Sequence, residues 1–251
     1  MLVMGILNVT PDSFADGGKH NNFETAVARG LEMIAEGVDI IDIGGESTRP
    51  GADRVSQAEE IARTIPVITE LAKHGTPISI DTMRASTAEA AIRAGASIIN
   101  DVSGGLADPE MLQTVARLKV PYIAMHWRGQ SKDMNSKAIY SDVVSDVISE
   151  LNERIEAALD AGIDKDKLII DPGIGFAKDA EHNWGIIDSI DRFVEMGYPV
   201  LVGASRKRFL GGDTPDEREQ ATIDLTKRLS ATGVWAVRVH SVKPHKEVLS
   251  A

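Results

Sequence analysis

Asn8, Asp42, Asp81, Asn100, Asp101, His126 and Asp171 each stand at or near the end of a short apolar run. Two later runs end instead in Ser205-Arg206-Lys207 and in Arg238-Val239-His240. The two sets suit different chemistry. Aspartate and asparagine offer the acceptors and donors that a flat, polar heterocycle needs. Arginine, lysine, histidine and serine suit phosphate oxygens. Together they point to a neutral heterocycle deep in a pocket, with an anionic leaving group at the rim. Other site chemistries lack their patterns: there is no GxxxxGK[ST] loop, no GxSxG elbow and no HExxH pair. Gly173-Ile174-Gly175 is a bare GxG, and Ser205, followed by two basic residues, reads as an anion contact rather than a nucleophile.

These residues need a scaffold that brings distant run ends together. Eight apolar runs occupy residues 2–8, 38–43, 77–80, 96–99, 120–125, 167–170, 199–202 and 235–237, each followed by a helical stretch. The runs are rich in Ile, Val and Leu with little alternation, as in strands buried on both faces. Eight βα units in 251 residues match an α/β fold of the (β/α)8 TIM-barrel type, whose strand ends converge on one site. A doubly wound open sheet is the alternative, but it would gather binding groups at one switch point. Here polar residues follow nearly every run. With no linker or composition break, one domain over 1–251 is expected.

Helix signals accompany the runs. Asn22 reads as an N-cap and Gly37 as the matching stop. Residues 86–89 read as a capping box, and Asp108-Pro109 as a helix start. Val144, Ile148, Leu151, Ile155 and Leu159 form one apolar stripe, and Trp184, Ile187, Ile190 and Phe193 another. Both read as core faces.

Lys plus Arg number 27 and Asp plus Glu 38, for a net charge of −11. That balance argues against nucleic acid or anionic membrane as partners, while leaving room for one local basic pocket. There is no cysteine, which excludes disulfides, thiolate metal sites and thiol nucleophiles. No leader pattern opens the chain and no apolar run approaches ~18 residues, so a cytoplasmic location is expected.

Residues 4–18 (MGILNVTPDSFADGG) resemble the first signature of the dihydropteroate synthase family, and residues 44–51 (GGESTRPG) the second. SIDT at 79–82, INDVSGG at 99–105, Met125-His126, DPGIGF at 171–176, GASRK at 203–207 and RVH at 238–240 resemble the later ones, in order, over almost the whole chain. The versions MHWR and GASRKRFLG resemble the actinobacterial branch. The resemblance implies condensation of 6-hydroxymethyl-7,8-dihydropterin diphosphate with p-aminobenzoate, with release of pyrophosphate. It implies that Asp81, Asn100, Asp171 and Lys207 hold the pterin, with Met125 packing on its ring. Asp81 also stabilises positive charge at the pterin methylene. Asn8 helps to hold Mg²⁺. Thr48, Arg49, Arg238 and His240 grip the pyrophosphate, and Pro50, Phe176, Ser205 and the stem of Lys207 frame p-aminobenzoate. Asp81, Lys207 and Arg238 are thus the expected catalytic residues. Loops 10–20 and 46–57 are the expected mobile parts, with Asp12, Phe14 and Asp16 closing over the p-aminobenzoate side. A homodimer through late helices is implied as well.

Some residues admit two readings. Asp42 either accepts backbone hydrogen bonds or joins the site. His126 is either a satisfied core histidine or a site residue. His182 and Asn183 read as helix starters, Trp127 and Trp235 as packing, Arg208 as surface. Ser241 stands where the family usually has Asp and reads as the cap of the last helix. Two other functions share these features: a non-catalytic pterin-binding relative, and a pterin-dependent methyltransferase domain, which would lack the arginine-rich pyrophosphate site.

Overall fold

The apolar runs form parallel strands because both of their faces can be buried: β1 (Leu2–Asn8), β2 (Ile40–Gly44), β3 (Ile78–Asp81), β4 (Ile98–Asp101), β5 (Tyr122–Met125), β6 (Leu168–Asp171), β7 (Leu201–Val202) and β8 (Ala236–Val239). The structure is a computed structural model and describes residues 1–10, 19–46, 55–130 and 134–250. Nine α-helices follow the strands among these residues: α1 (Lys19–Ala35), α2 (Gln57–Leu71), α3 (Ala85–Ala94), α4 (Met111–Leu118), α5 (Val143–Asp160), α6 (Ala180–Asp188), α7 (Ile190–Val194), α8 (Glu219–Leu229) and α9 (Lys243–Ser250). The strand order is 6-5-4-3-2-1-8-7, all parallel, and a parallel bridge between Ile170 and Val200 joins the two ends. The ring is the (β/α)8 barrel expected from the run count.

Alternation along the strands divides the core in two. Met4, Ile40, Ile98, Ile123, Ile169, Leu201 and Ala236 form an apolar plug inside the barrel. Their outward neighbours, such as Val3, Ile41, Ile99, Ile170 and Val237, pack with helix residues such as Val67, Ile68, Leu151, Ile187 and Leu225. No helix among the described residues is long and apolar enough to cross a membrane.

Helix ends depart from the local reading in instructive ways. Gly37 does end α1, at φ 85°, but α1 begins at Lys19, so Asn22 lies inside it. Helix α3 begins at Ala85 with no side-chain cap from Arg84. Its first amide is capped from a distance: Ala85 N donates to Asp108 Oδ2 at 2.8 Å. Asp108 therefore serves α3, and α4 starts only at Met111. A cap supplied across 23 residues leaves no local signature. The stripe from Trp184 to Phe193 is broken at Ser189 into α6 and α7. Ile187, Ile190 and Phe193 are buried, whereas Trp184 is 37% exposed and stacks edge-to-face on Phe209. In the α5 stripe Val144, Leu151 and Ile155 are buried, but Leu159 is exposed.

Candidate active site

Period-2 alternation builds the site directly above the plug. Two residues beyond Ile40, Ile98, Ile123, Ile169 and Ala236 come Asp42, Asn100, Met125, Asp171 and Arg238. Asn8 lies four beyond Met4, and His240 four beyond Ala236, on the same inward phase. Asp81 pairs in register with Gly44 and Asn100 on the neighbouring strands. Asp101 has the opposite phase. It points outward and accepts from Tyr122 Oη, Ser103 N and Gly105 N, so it belongs to the scaffold.

Charge is paired across the mouth. Arg238 Nε donates to Asp42 Oδ2 at 2.6 Å, and its Nη2 donates to Asp81 Oδ2 at 2.6 Å. Asn100 Nδ2 donates to Asp42 Oδ2 at 3.1 Å. Asp42 is therefore a site residue, and among the described residues its Oδ1 has no hydrogen-bond partner although buried. Burial, partly offset by the Arg238 guanidinium, pushes the Asp81 carboxyl up to about 7. The two carboxylates hold Arg238 firmly charged against the effect of its own burial.

The opposite wall carries Asp171 and Lys207. Asp171 Oδ1 accepts from Gly173 N at 2.7 Å, and burial raises its carboxyl above the usual range. Burial lowers the Lys207 ammonium to about 8, against the pull of Asp171. Lys207 Nζ donates to Ile174 O and lies 4.6 Å from the centre of the Phe176 ring. Met125, Met83 and Val102 form an apolar wall, with Trp127 and Phe176 packed against it.

Ser205 and His240 meet at the rim. Ser205 Oγ accepts from His240 N at 3.2 Å and stands 2.9 Å from Nδ1. Arg206, between the two site residues, adopts φ 58° and turns away, bonding Glu219 and Ser241. Ser241 thus ties down Arg206, and Arg208 is exposed. Asp12, Phe14, Asp16, Thr48, Arg49 and Pro50 lie outside the described residues, as does most of loops 10–20 and 46–57.

Two supporting clusters escaped the sequence reading. Glu60, 1% exposed, accepts from Thr82 Oγ1 at 2.6 Å, from Thr87 Oγ1 and from Arg84 Nη1, fixing the turn just after Asp81. Arg84 also pairs with Glu46. On the other side, buried Lys178 bonds His126 and the turn after β6. His126 is a core histidine, 1% exposed, with Nε2 2.9 Å from Glu150 Oε2. His182 and Asp179 form a capping box on α6, and Asn183 accepts from Gly175 N, so these are structural as expected. No periodic or spacing signal marks Lys178 or Glu60. Each is legible only once the loops are folded.

A (β/α)8 barrel with carboxylates, an amide and basic groups converging at the strand ends is the layout of a small-molecule enzyme of the barrel class. Residues 4–240 match the family model described as pterin binding enzyme. The chain is 46% identical to dihydropteroate synthase of Mycobacterium leprae over 98% of its own length and 90% of the relative's. It is 47% identical to that of Bacillus subtilis, over 96% and 84%. Among solved structures, Xanthomonas albilineans dihydropteroate synthase with 4-aminobenzoic acid superposes with TM-score 0.94 at 44% identity, covering 99% of this chain and 90% of that one. The same organism's enzyme in complex with 7,8-dihydropteroate gives 0.90 at 41% identity, over 99% and 91%. The chain belongs to the dihydropteroate synthase family of pterin-binding enzymes.

Proposed function

We propose that the chain joins 6-hydroxymethyl-7,8-dihydropterin diphosphate to p-aminobenzoate, forming 7,8-dihydropteroate and pyrophosphate in folate biosynthesis. One observation carries this reading: Asp42, Asp81, Asn100 and Asp171 share a single mouth with Arg238 and Lys207. Acceptors for a flat heterocycle and basic side chains thus stand side by side. In this reading Asp81, Asn100, Asp171 and Lys207 hold the pterin, and Met125 packs on its ring. Ser205, Phe176, Pro50 and the stem of Lys207 frame p-aminobenzoate, while Asp12, Phe14 and Asp16 close over it. Thr48, Arg49 and His240 serve the pyrophosphate, while Arg238, which the resemblance assigns to it as well, holds Asp42 and Asp81.

The reaction is a displacement at the pterin methylene. The C–O bond breaks and pyrophosphate takes the electron pair. The amine nitrogen then supplies the pair for the new C–N bond and loses its proton to water. Early departure of the leaving group puts positive charge on the methylene, which the ionised form of Asp81 stabilises; Arg238 opposes the burial that raises its carboxyl. An aniline nitrogen is unprotonated at neutral pH, so no strong base is required.

Among the described residues no group of three or more His, Asp or Glu could hold a metal ion. The fit to Mg²⁺ is of another kind. Asn8 Oδ1 and Asp81 Oδ2 lie 3.7 and 3.6 Å from where a Cβ on Gly44 would stand, so the two oxygens face one small cradle. One neutral protein oxygen suits Mg²⁺, which keeps waters and takes substrate phosphate oxygens as its other ligands. When bound there, the ion supplies positive charge to the departing pyrophosphate.

The reading takes residues 1–251 as one pterin-binding domain in a cytoplasmic homodimer, without nucleic-acid or membrane partners. The lack of cysteine and the net charge of −11 support the location and the exclusions; the dimer rests on the family resemblance. The test mixes purified protein with the pterin diphosphate, p-aminobenzoate and Mg²⁺ and follows pyrophosphate and dihydropteroate. Pterin binding without product would favour a non-catalytic relative, and no pterin binding would remove the reading altogether.

A further inference from the structure

We infer that Lys178 is a positioning residue for the p-aminobenzoate arm of the site: its buried side chain staples the turn at residues 173–176 and so sets where the Phe176 ring stands. The inference rests on the proposed role of Phe176 at the p-aminobenzoate rim.

Lys178 Nζ has three acceptors: His126 Nδ1 at 2.9 Å, Gly173 O at 3.1 Å and Phe176 O at 3.0 Å. An ammonium has three N–H donors, one for each; a neutral amine has two and strands one acceptor. The donation to Nδ1 fixes the His126 proton on Nε2, where it is given to Glu150. Glu150 is held in turn by Arg128. The turn after β6 is thereby linked to α5. From the front, Lys207 Nζ donates to Ile174 O, and its charge faces the Phe176 ring. From below, Asn183 takes Gly175 N at 2.6 Å. Lys178 is thus the only one of these three ties on the turn that binds the carbonyl of Phe176 itself.

The groups facing Lys178 are Asp171 on β6, His126 and Arg128 after β5, Glu150 on α5, Lys207 after β7 and the Tyr140 ring, with Asp179 next in its own segment. Burial, opposed by Asp171, brings its ammonium down to about 7. Lys207 titrates nearby, at about 8, but Glu150 acts on Lys178 and is not among the groups shifting Lys207.

The experiment measures the KM for p-aminobenzoate at saturating pterin diphosphate across this pH range, in wild type, Lys178→Met and Glu150→Gln. Wild type should show KM rising as pH passes about 7. Lys178→Met should carry a KM raised about tenfold at all pH values, the worth of one charge-assisted hydrogen bond, with kcat and pterin binding little changed. Glu150→Gln, at a half-exposed position, should move the wild-type rise to lower pH. A flat wild-type profile, an unmoved profile in Glu150→Gln, or an unchanged KM in Lys178→Met overturns the inference; if Lys178→Met does not fold, the other two profiles decide. Hydrogen exchange of the Phe176 amide reads the turn without turnover. It should accelerate in wild type above about pH 7 beyond the intrinsic pH trend, and earlier in Glu150→Gln; the intrinsic trend alone overturns the inference even in a chain that makes no product. Absence of product from wild type, with the turn responding as stated, overturns the proposed function alone.

Discussion

Arg238 Nη2 lies 2.6 Å from Asp81 Oδ2, joining β8 to β3 across the barrel mouth. The same guanidinium holds Asp42. One cation therefore serves two buried carboxylates, whereas the family resemblance had assigned it to the pyrophosphate. The geometry makes Arg238 first a partner of Asp42 and Asp81.

Replacing Arg238 by Met should thus cost stability, on the order of 3–5 kcal/mol, because two buried carboxylates lose their counter-charge. Urea unfolding reads that loss. Calorimetry should show comparable losses of affinity for a pyrophosphate-free pterin and for the diphosphate. A loss confined to the diphosphate would return Arg238 to the leaving group.

Glu60 is the equivalent on the far side of β3. It is nearly fully buried and holds Thr82, Thr87 and Arg84. Glu60→Gln should destabilise by roughly 3 kcal/mol, since among the described residues the half-buried Arg84 keeps Glu46 alone as a counter-charge. Adding Arg84→Met should recover part of the loss, a coupling that a double-mutant cycle measures. Simple additivity would show that the pair does not act as a unit.

The barrel was legible in the sequence because eight apolar runs, each ending in a polar residue, reflect burial on both faces. Asn8, Asp81, Asn100, Asp171 and Arg238 were legible for the same reason: each sits at a strand end. Phase decided what the runs alone left open. Asp42 points in and Asp101 out, and only the register shows it. Lys178 and Glu60 were invisible because their partners lie on other elements, 52 and 22 residues away for His126 and Thr82. The distant cap from Asp108 to α3 went unread for the same reason.

Gly173 should be among the least replaceable residues of the site. At φ 70°, a Cβ there would meet His126 O at 2.5 Å, a backbone atom that cannot swing aside. Gly197 has φ 78° with nothing within 4 Å, and so isolates the cost of the backbone conformation alone. Gly197→Ala should cost ~1–2 kcal/mol, and Gly173→Ala clearly more, with loss of turnover as the turn after Asp171 shifts. Equal unfolding midpoints for the two variants would show that the turn yields without cost.

His126 should give the protein a measurable acid sensitivity. Burial, reinforced by the Lys178 charge, lowers its imidazole to about 4 from 6.5. Between these values the unfolded chain binds a proton that the folded chain refuses. The stability His126 contributes is therefore complete above about pH 6.5 and is lost as pH falls toward about 4. The shift corresponds to about 3 kcal/mol. Asp81 works in the opposite sense: its carboxyl, raised to about 7, favours the folded state as pH falls through the same window. The raw pH profile mixes the two, so the quantity to measure is the difference between wild type and His126→Gln. Gln keeps a donor and an acceptor but does not titrate. The wild-type advantage in urea should shrink on going from above pH 6.5 to near pH 4. An advantage constant across that range would mean that His126 is protonated in the fold, with Lys178 rather than the ring carrying the neutral form.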